Sequence, residues 1–279
     1  MFREVLVPYN GGDASTRALE IGAGLAQSAN AELRILAYKR LRDDQTVSEE
    51  LVHTATEIGQ RYDLDPHLTT LEPKRFLSDA IVSESMRRPG SIVCMAAQGR
   101  SRTQIFTGSV SSEVMLYGPR AIVLCGPECE RVFFEHGGPM IAALDGTDES
   151  EAILPVADHW ASSLGLSLEV VTVLPAEPET ALASAIASGD VIEGGYLSGV
   201  VSHDRGLREH GATYDVLHGK AAPAIIDEAK ARNASLIAMA SRVPVGLERV
   251  RRGSVTDEVV RHSPVPVLVL AGHPVTARR

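Results

Sequence analysis

Residues 95–124 read MAAQGRSRTQIFTGSVSSEVMLYGPRAIVL, and residues 239–270 read MASRVPVGLERVRRGSVTDEVVRHSPVPVLVL. Each stretch begins at the end of an apolar run, continues through a polar loop with arginines, and enters an amphipathic segment at a Gly-Ser-Val step. A proline and a second β-rich run follow. The order predicts a strand, a loop, a helix and a strand. A Gly-Ser pair at a helix start presents unpaired N–H groups and the positive end of the helix dipole, which suits phosphate.

The rest of the chain repeats in the same order. VLVPYNGGDASTRAL at 5–19 matches MIAALDGTDESEAIL at 140–154 with an offset of 135 residues. The closing segments match with an offset of 145, so the second half has ten more residues, which fall between 175 and 211. A repeat of this kind predicts two homologous halves, each a folding unit.

Strands alternate with helices in both halves. The predicted strands are 3–9, 32–38, 67–72, 91–96 and 120–125 in the first half, and 139–144, 167–174, 212–217, 235–240 and 266–270 in the second. Helices between such strands imply right-handed crossovers and a parallel sheet. The fold class is therefore α/β, with two tandem doubly wound domains at 1–130 and 138–275. Each is expected to be a five-stranded, mainly parallel sheet with helices on both faces, and 175–211 to be a loose helix-and-loop excursion.

Two loops of each half lie at the edge where such sheets bind ligands, beyond the carboxyl ends of the strands. They are the loops after the first strand, 10–13 and 145–148, and the loops after the fourth, 97–108 and 241–253. Arginines flank the second pair, which suits phosphate. Ordinary helix caps and a solvated arginine loop are the alternative interpretations.

The composition limits the classes of partner that this protein can bind. The 279 residues include 27 basic and 36 acidic side chains, a net charge of −9, which disfavours nucleic acid and anionic membrane. Cys94, Cys125 and Cys129 show no metal-ligand spacing, and the first two lie in apolar strand runs, which favours buried free thiols. Without a signal peptide or an apolar stretch of about 18 residues, a cytoplasmic protein is expected.

These motifs resemble the universal stress protein family, twice over and across both halves. A domain of that family opens with a strand ending Val-Pro-x-Asp-Gly-Ser and closes with Gly-x2-Gly-x9-Gly-Ser/Thr before its last helix. This chain has VPYNGG at 7–12, and its closing motifs span 96–109 and 240–254. The resemblance implies a stress-response or regulatory protein that binds ATP, with or without Mg²⁺. The sequence itself has no Gly-x-Ser-x-Gly or Gly-Lys-Ser/Thr motif, so no catalytic residue is expected.

The resemblance also places the nucleotide. In the family, the opening aspartate lies by the adenine, a residue ending the second strand lines the base, and the glycine loop holds ribose and phosphates. The corresponding first-half residues are Asn10, Tyr38, Ala96, Gly99, Gly108, Ser109 and Val110. The corresponding second-half residues are Asp145, Val173, Ala240, Arg242, Gly253, Ser254 and Val255. The second half keeps the acidic residue, the smaller Val173 and the full x9 spacing, so we expect it to bind more readily than the first.

Several alternatives stay open at this point. Asn10 and Asp145 are equally suited to turns in which the side chain bonds its own backbone. Four residues in or beside the insertion suggest a minor hydrolase or metal interpretation: His203, Asp204, His210 and Asp215. Ala96, Ala240 and Val243 stand where the family motif has glycine, and Asn10 stands where it has aspartate. These departures favour, as the alternative function, a nucleotide-free interaction and dimerisation module of the same fold. Slow ATP hydrolysis is a third class, for which the sequence offers no identifiable base or metal ligand.

The closing strands of the two halves are apolar, with AIVLC at 121–125 and VPVLVL at 265–270. An exposed edge strand of this kind needs cover, and domains of the family usually pair through it. We therefore expect 120–126 to pair antiparallel with 265–271 within one chain as an internal pseudo-dimer. Two such chains can associate further as a homodimer.

Overall fold

The computed structural model describes residues 2–38, 46–71, 76–97, 110–119, 121–130, 138–175, 186–241 and 255–271, with the backbone alone at 46–48 and 186–194. The elements of the first half are β1 (Glu4–Tyr9), α1 (Asp13–Ala29), β2 (Glu32–Tyr38), α2 (Thr46–Tyr62), β3 (His67–Leu71), α3 (Leu77–Met86), β4 (Ser91–Ala96), α4 (Val110–Tyr117) and β5 (Ala121–Cys125). All five strands lie within one residue of their predicted bounds.

The second half repeats this order with a longer middle. Its elements are β6 (Pro139–Leu144), α5 (Asp148–Glu151), α6 (Leu154–Leu164), β7 (Ser167–Leu174), α7 (Ile186–His203), α8 (Arg205–Glu209), β8 (Thr213–His218), α9 (Ala221–Ala231), β9 (Leu236–Ser241), α10 (Val255–His262) and β10 (Val267–Ala271). The expected helix-and-loop excursion contains α7, a continuous helix of 18 residues. It is held by packing on β7 and β8 and by the buried Leu197 and Val201. None of the described helices is long and apolar enough to cross a membrane.

The ten strands of the described residues belong to one sheet, in the order β3-β2-β1-β4-β5-β10-β9-β6-β7-β8. Neighbours within each half are parallel, whereas β5 and β10 pair antiparallel, with Val123 opposite Leu268 and Ile122 opposite Val269. The predicted pairing of the closing strands within one chain is therefore confirmed. The two predicted five-stranded sheets are not separate, because each covers the apolar edge of the other.

Helices cover both faces of this sheet. Along β1, Val5 and Val7 point into one core cluster and Leu6 into the other, and all three are buried. Gly22 of α1 lets that helix approach β1, since a Cβ there would lie 2.5 Å from Val7 Cγ2. The alternation along a strand buried on both faces explains why its sequence reads as a continuous apolar run.

The two halves are also joined beside the β5–β10 pair. A Cβ at Gly126 would overlap the carbonyl oxygen of Val260, so the chain after β5 lies directly against α10. Glu130 N–H donates to Pro264 O at 3.0 Å, and His262 Nδ1 lies 2.7 Å from Glu128 Oε1. The turn that follows β5 is thus fixed to the last helix of the other half.

Candidate functional site

The strand order of each half reverses between its first and fourth strands. In the second half these are β6 and β9, which lie side by side with β7 beyond β6 and β10 beyond β9. A crevice forms at such a point because the connections leave the sheet in opposite directions. The carboxyl ends of these strands therefore frame the candidate site.

A cavity of about 480 Å³ lies at this edge of the second half. Its lining comes from the ends of β6, β7, β9 and β10 and from the starts of α5, α9 and α10: Ala143, Leu144, Asp145, Glu149, Ser150, Ala152, Val173, Ala221, Ile225, Met239, Ala240, Ser241, Val255, Thr256, Leu270 and Ala271. The structure thus brings together Asp145, Val173, Ala240 and Val255, four residues that were predicted from separate segments. The volume suits a small organic ligand.

Most of the described residues that line the cavity are apolar. Ile225 and Met239 are buried, Val173 is half-buried, and Val255 is 41% exposed at the start of α10. The lining residues Asp145 and Glu149 are exposed and polar, whereas Ser241 at the end of β9 is buried. An apolar wall with a few polar groups favours a ligand that combines an apolar part with a polar part.

Asp145 forms the turn at the mouth of the cavity. Its Oδ1 accepts hydrogen bonds from Thr147 N at 3.2 Å and from Thr147 Oγ1 at 2.5 Å. The Asp145 N–H donates to Ser150 Oγ at 3.2 Å, and Gly146 has a φ of +80°, which glycine adopts without strain. Asp145 is therefore a turn residue, which was one of its two interpretations. The same turn places its carboxylate at the cavity.

The first half builds the same turn from different atoms. Asn10 Oδ1 accepts from Gly12 N at 3.0 Å and from Ser15 Oγ at 2.8 Å, and Gly11 has a φ of +79°. Tyr38 ends β2 at the position of Val173 and is half-buried, as are Ala96 at the end of β4 and Val110 at the start of α4. The phenol ring of Tyr38 puts more volume at this point than the isopropyl group of Val173.

The glycine and arginine positions of both loops lie outside the described residues. They are Gly99, Gly108 and Ser109 in the first half, and Arg242, Gly253 and Ser254 in the second. Their assignment to ribose and phosphate stays a prediction.

The insertion residues do not form a hydrolase or metal constellation. His203 Nδ1 lies 2.7 Å from Gly199 O, and Asp204 accepts from Leu207 N as the cap of α8. His210 Nδ1 lies 2.8 Å from Asp158 Oδ1 and 3.2 Å from Ser162 Oγ, which ties the end of α8 to α6. Because both contacts use one ring nitrogen, the arrangement lacks the relay through the second nitrogen that a hydrolytic triad needs.

A group of three carboxylates lies on β7, β8 and α9, and none of the three lines the cavity. Glu169 on β7, Asp215 on β8 and Glu228 on α9 converge, and Arg232 lies among them. Its guanidinium is 3.0 Å from Glu169, 3.7 Å from Asp215 and 2.7 Å from Glu228. Burial raises the pKa of Glu169, against the opposing effect of Arg232. The arginine supplies the positive charge that a metal would otherwise bring, so this group is an ion-pair network.

Sequence reasoning missed a contact that supports the cavity mouth. Tyr196 on α7 donates its hydroxyl to Glu151 Oε1 at 2.7 Å, at the end of α5. Burial first, and then the hydrogen bond to Glu151 and nearby acidic charges including Asp145, raise the pKa of Tyr196. The lining residues Ala221 and Ile225 were also missed, although their i, i+4 spacing at a helix start just after a strand was a usable signal.

The order 3-2-1-4-5 in each half, its repetition, and the cavity at the reversal define a duplicated, doubly wound α/β protein with a ligand-sized site. The model of the universal stress protein family matches residues 1–124 and again 138–271, and the chain belongs to that family with two copies of its domain.

Individual proteins resemble this chain over part or most of its length. Universal stress protein Rv2319c of Mycobacterium tuberculosis H37Rv is 24% identical over 184 residues, which are 61% of this chain and 60% of that protein, so the match leaves two fifths of the relative uncovered. A solved universal stress protein of Pseudomonas aeruginosa UCBPP-PA14 has a TM-score of 0.62 at 17% identity, over 96% of this chain and 93% of its own. The Archaeoglobus fulgidus protein solved with dAMP covers 47% of this chain and 96% of its own, at 24% identity and a TM-score of 0.34.

Proposed function

We propose that this chain is a regulatory stress-response protein that binds an adenine nucleotide, ATP with or without Mg²⁺, in the cavity of its second half. One observation carries the proposal: four segments far apart in sequence bring Asp145, Val173, Ala240 and Val255 around one cavity of about 480 Å³ at the strand-order reversal. That is where doubly wound sheets bind nucleotides.

The character of the cavity supports a nucleotide in particular. The base is a flat, largely apolar ring system, and the walls formed by Ile225, Met239 and Val173 match it. The phosphates are assigned to the loop before α10, where the helix start favours anions. Arg242, Gly253 and Ser254 belong to this part of the proposal.

We propose that the two halves bind unequally. The first-half site consists of Asn10, Tyr38, Ala96 and Val110 together with Gly99, Gly108 and Ser109. Tyr38 occupies the position at which Val173 lines the second cavity, so its ring reduces the room for a base. The second half is therefore the tighter site.

Calorimetric titration of the purified chain with ATP, with and without Mg²⁺, tests the proposal, together with mass spectrometry of nucleotide released on denaturation. Val173→Tyr reproduces the first-half residue in the second cavity and is expected to weaken ATP binding at least about tenfold, the loss of about 1.4 kcal/mol. Leu174→Tyr is the matched control, since it adds the same ring to the neighbouring residue of β7, which does not line the cavity. No heat at millimolar ATP would refute the proposal, and equal affinity of Val173→Tyr and wild type would refute the placement.

A nucleotide-free interaction and dimerisation module is the second candidate. The observation that favours it is that Asn10 Oδ1 and Asp145 Oδ1 are already engaged by their own turns. A chain that assembles with the same partners at zero and saturating ATP would support this candidate. A change of assembly on titration with ATP would support the nucleotide-dependent regulator.

The remaining assignments form part of the proposal. The domains are bounded at 1–130 and 138–275, the protein resides in the cytoplasm without nucleic-acid or membrane partners, and whole chains associate as homodimers. The role is binding without turnover, so phosphate release from ATP should not exceed the background of a Val173→Tyr preparation. Limited proteolysis, fractionation and light scattering test the other points in turn.

A further inference from the structure

Two hydroxyl groups of the second-half cavity have no hydrogen-bond partner among the described residues. Ser241 ends β9 and Thr256 lies in the first turn of α10, and both line the cavity although they are 6% and 5% exposed. Across the described ranges, no protein group bonds to Ser241 Oγ or Thr256 Oγ1. Neither oxygen is fully enclosed, so both face the open space of the cavity. We call this pair the cavity hydroxyls.

Other buried hydroxyls of the same region do have partners. Ser150 also lines the cavity, but its Oγ donates to Thr147 O at 2.8 Å. Thr172 on β7 does not line the cavity, and its Oγ1 donates to Leu144 O at 3.1 Å. Because a buried hydroxyl without a partner is unfavourable, most such groups in proteins are bonded. The cavity hydroxyls are therefore the groups that a bound ligand would satisfy.

The cavity hydroxyls lie between the parts of the cavity that we assign to the base and to the phosphates. Ser241 follows Met239 by two residues on the same face of β9, so it lies about 6.6 Å nearer the end of the strand. Thr256 follows Val255, the first residue of α10, and a helix start favours anions. A ligand with its base against Met239 and a phosphate at this helix start places its sugar at the cavity hydroxyls.

The chemistry of this part of the cavity suits a sugar. Each serine or threonine hydroxyl can both donate and accept a hydrogen bond, as each hydroxyl of a ribose can. The charged residues of the described lining, Asp145 and Glu149, are both acidic, so this wall attracts neutral hydroxyl donors rather than phosphate. A site built to bond a ligand hydroxyl rejects the analogue that lacks it, because the buried protein group is then left unpaired.

We propose that Ser241 and Thr256 bind the hydroxyls of a ribose and make the second-half cavity selective for ribonucleotides over deoxyribonucleotides. This selectivity rests on the proposed function, to which it adds the class of sugar. The repeat supplies an internal comparison, since residues 95–97 read Met-Ala-Ala where 239–241 read Met-Ala-Ser. Ala97 has no hydroxyl at the position of Ser241, so the selectivity belongs to the second half.

Calorimetric titration of the full chain with ATP, 2′-deoxy-ATP and 3′-deoxy-ATP tests the proposal. The wild-type chain should bind ATP at its tighter site at least about tenfold more tightly than the weaker of the two deoxy analogues. Ser241→Ala and Thr256→Val should each weaken ATP binding about threefold to tenfold. Each variant should keep wild-type affinity for one of the analogues, namely the one that lacks the hydroxyl bound by the missing group.

Thr172→Val is the matched control, because it removes a buried hydroxyl that is bonded within the protein. This variant should melt at a lower temperature than wild type and keep the wild-type preference for ATP over its deoxy analogues. Without nucleotide, Ser241→Ala and Thr256→Val should melt at or above the wild-type temperature, since each removes a buried polar group that has no partner. A purely structural role of the cavity hydroxyls would give the opposite order of melting temperatures.

The selectivity is refuted if the wild-type chain binds ATP and both deoxy analogues equally, or if Ser241→Ala and Thr256→Val keep the full preference of wild type. Either result leaves the proposed function standing, because ATP still binds. Absence of ATP binding to the wild-type chain refutes the proposed function and the selectivity together, so the two failures are distinguishable.

Discussion

Gly126→Ala is expected to destabilise the protein through the junction of its halves. The added Cβ would overlap the carbonyl oxygen of Val260 on α10 and lie 2.9 Å from its carbonyl carbon. Both are backbone atoms, so no side-chain rotation can relieve the clash. Either the turn after β5 or the end of α10 must shift. Overpacking of this kind costs about 1–3 kcal/mol. The same shift reaches the cavity, because α10 begins at Val255, so ATP affinity should fall with stability.

The matched control is Gly199→Ala in α7, where a Cβ would meet no atom within 4 Å. An alanine inside a helix is better than glycine by about 0.5–1 kcal/mol, so this variant should be more stable than wild type. A change of 1 kcal/mol moves the melting temperature by about 2–4 °C in a protein of this size range. Calorimetric melting should therefore place Gly126→Ala about 2–12 °C below wild type and Gly199→Ala about 1–4 °C above it. Equal melting temperatures for Gly126→Ala and wild type would refute the close contact between β5 and α10.

Three further outcomes follow from the same contacts. Leu268→Ala truncates a fully buried side chain of β10 at the junction and should lower the unfolding free energy by about 2–5 kcal/mol in urea, with a single transition for both halves; two separate transitions would contradict one continuous sheet. Tyr196→Phe removes the hydrogen bond to Glu151 and should cost about 1.5–3 kcal/mol, since the acceptor is charged; an unchanged urea midpoint would show that the bond is worth nothing. Burial raises the pKa of Glu84, but the hydrogen bonds and charges of Arg88 and Arg87 outweigh it and lower that pKa. Ionised Glu84 therefore stabilises the fold at any pH above its unfolded pKa of about 4.3. This stability is lost as the pH falls through the lowered pKa of the folded state. Glu84→Gln should therefore be less stable than wild type at pH 7 and approach it in acid; a constant difference across that range would refute the assignment.

Most of the fold could be predicted from local patterns in the sequence. The strands read as apolar runs because both faces of the sheet are covered, and their bounds follow to within one residue. The helix α7 could not be read in the same way, because its four glycines predict weak helix, while its packing on β7 and β8 is a tertiary contact. Its order therefore depends on packing against the strands that precede and follow it, which helix propensity alone does not indicate.

The candidate site could likewise be predicted from the sequence only in part. Asp145 and Val173 are marked by their places at strand ends, and the repeat supplies their counterparts Asn10 and Tyr38. What the asparagine and aspartate bond to could not be decided, since a turn and a ligand contact need the same side chain at the same place. Residues such as Met239, which contribute only an apolar wall, look like any other core residue in the sequence.

The antiparallel pairing of β5 with β10 affects which part of this protein a binding partner could contact. Each closing strand runs parallel to its own half, so the carboxyl ends of the two halves point in opposite directions. The cavity of the second half and the corresponding strand ends of the first half, where we propose that nucleotides bind, therefore lie on opposite rims of one sheet. The strands are five to eight residues long and rise about 3.3 Å per residue, so the two rims are about 17–26 Å apart. If both halves bind nucleotide as proposed, a partner with one flat surface contacts one rim at a time and responds to the ligand of one half, so two partners could bind the two rims without competing.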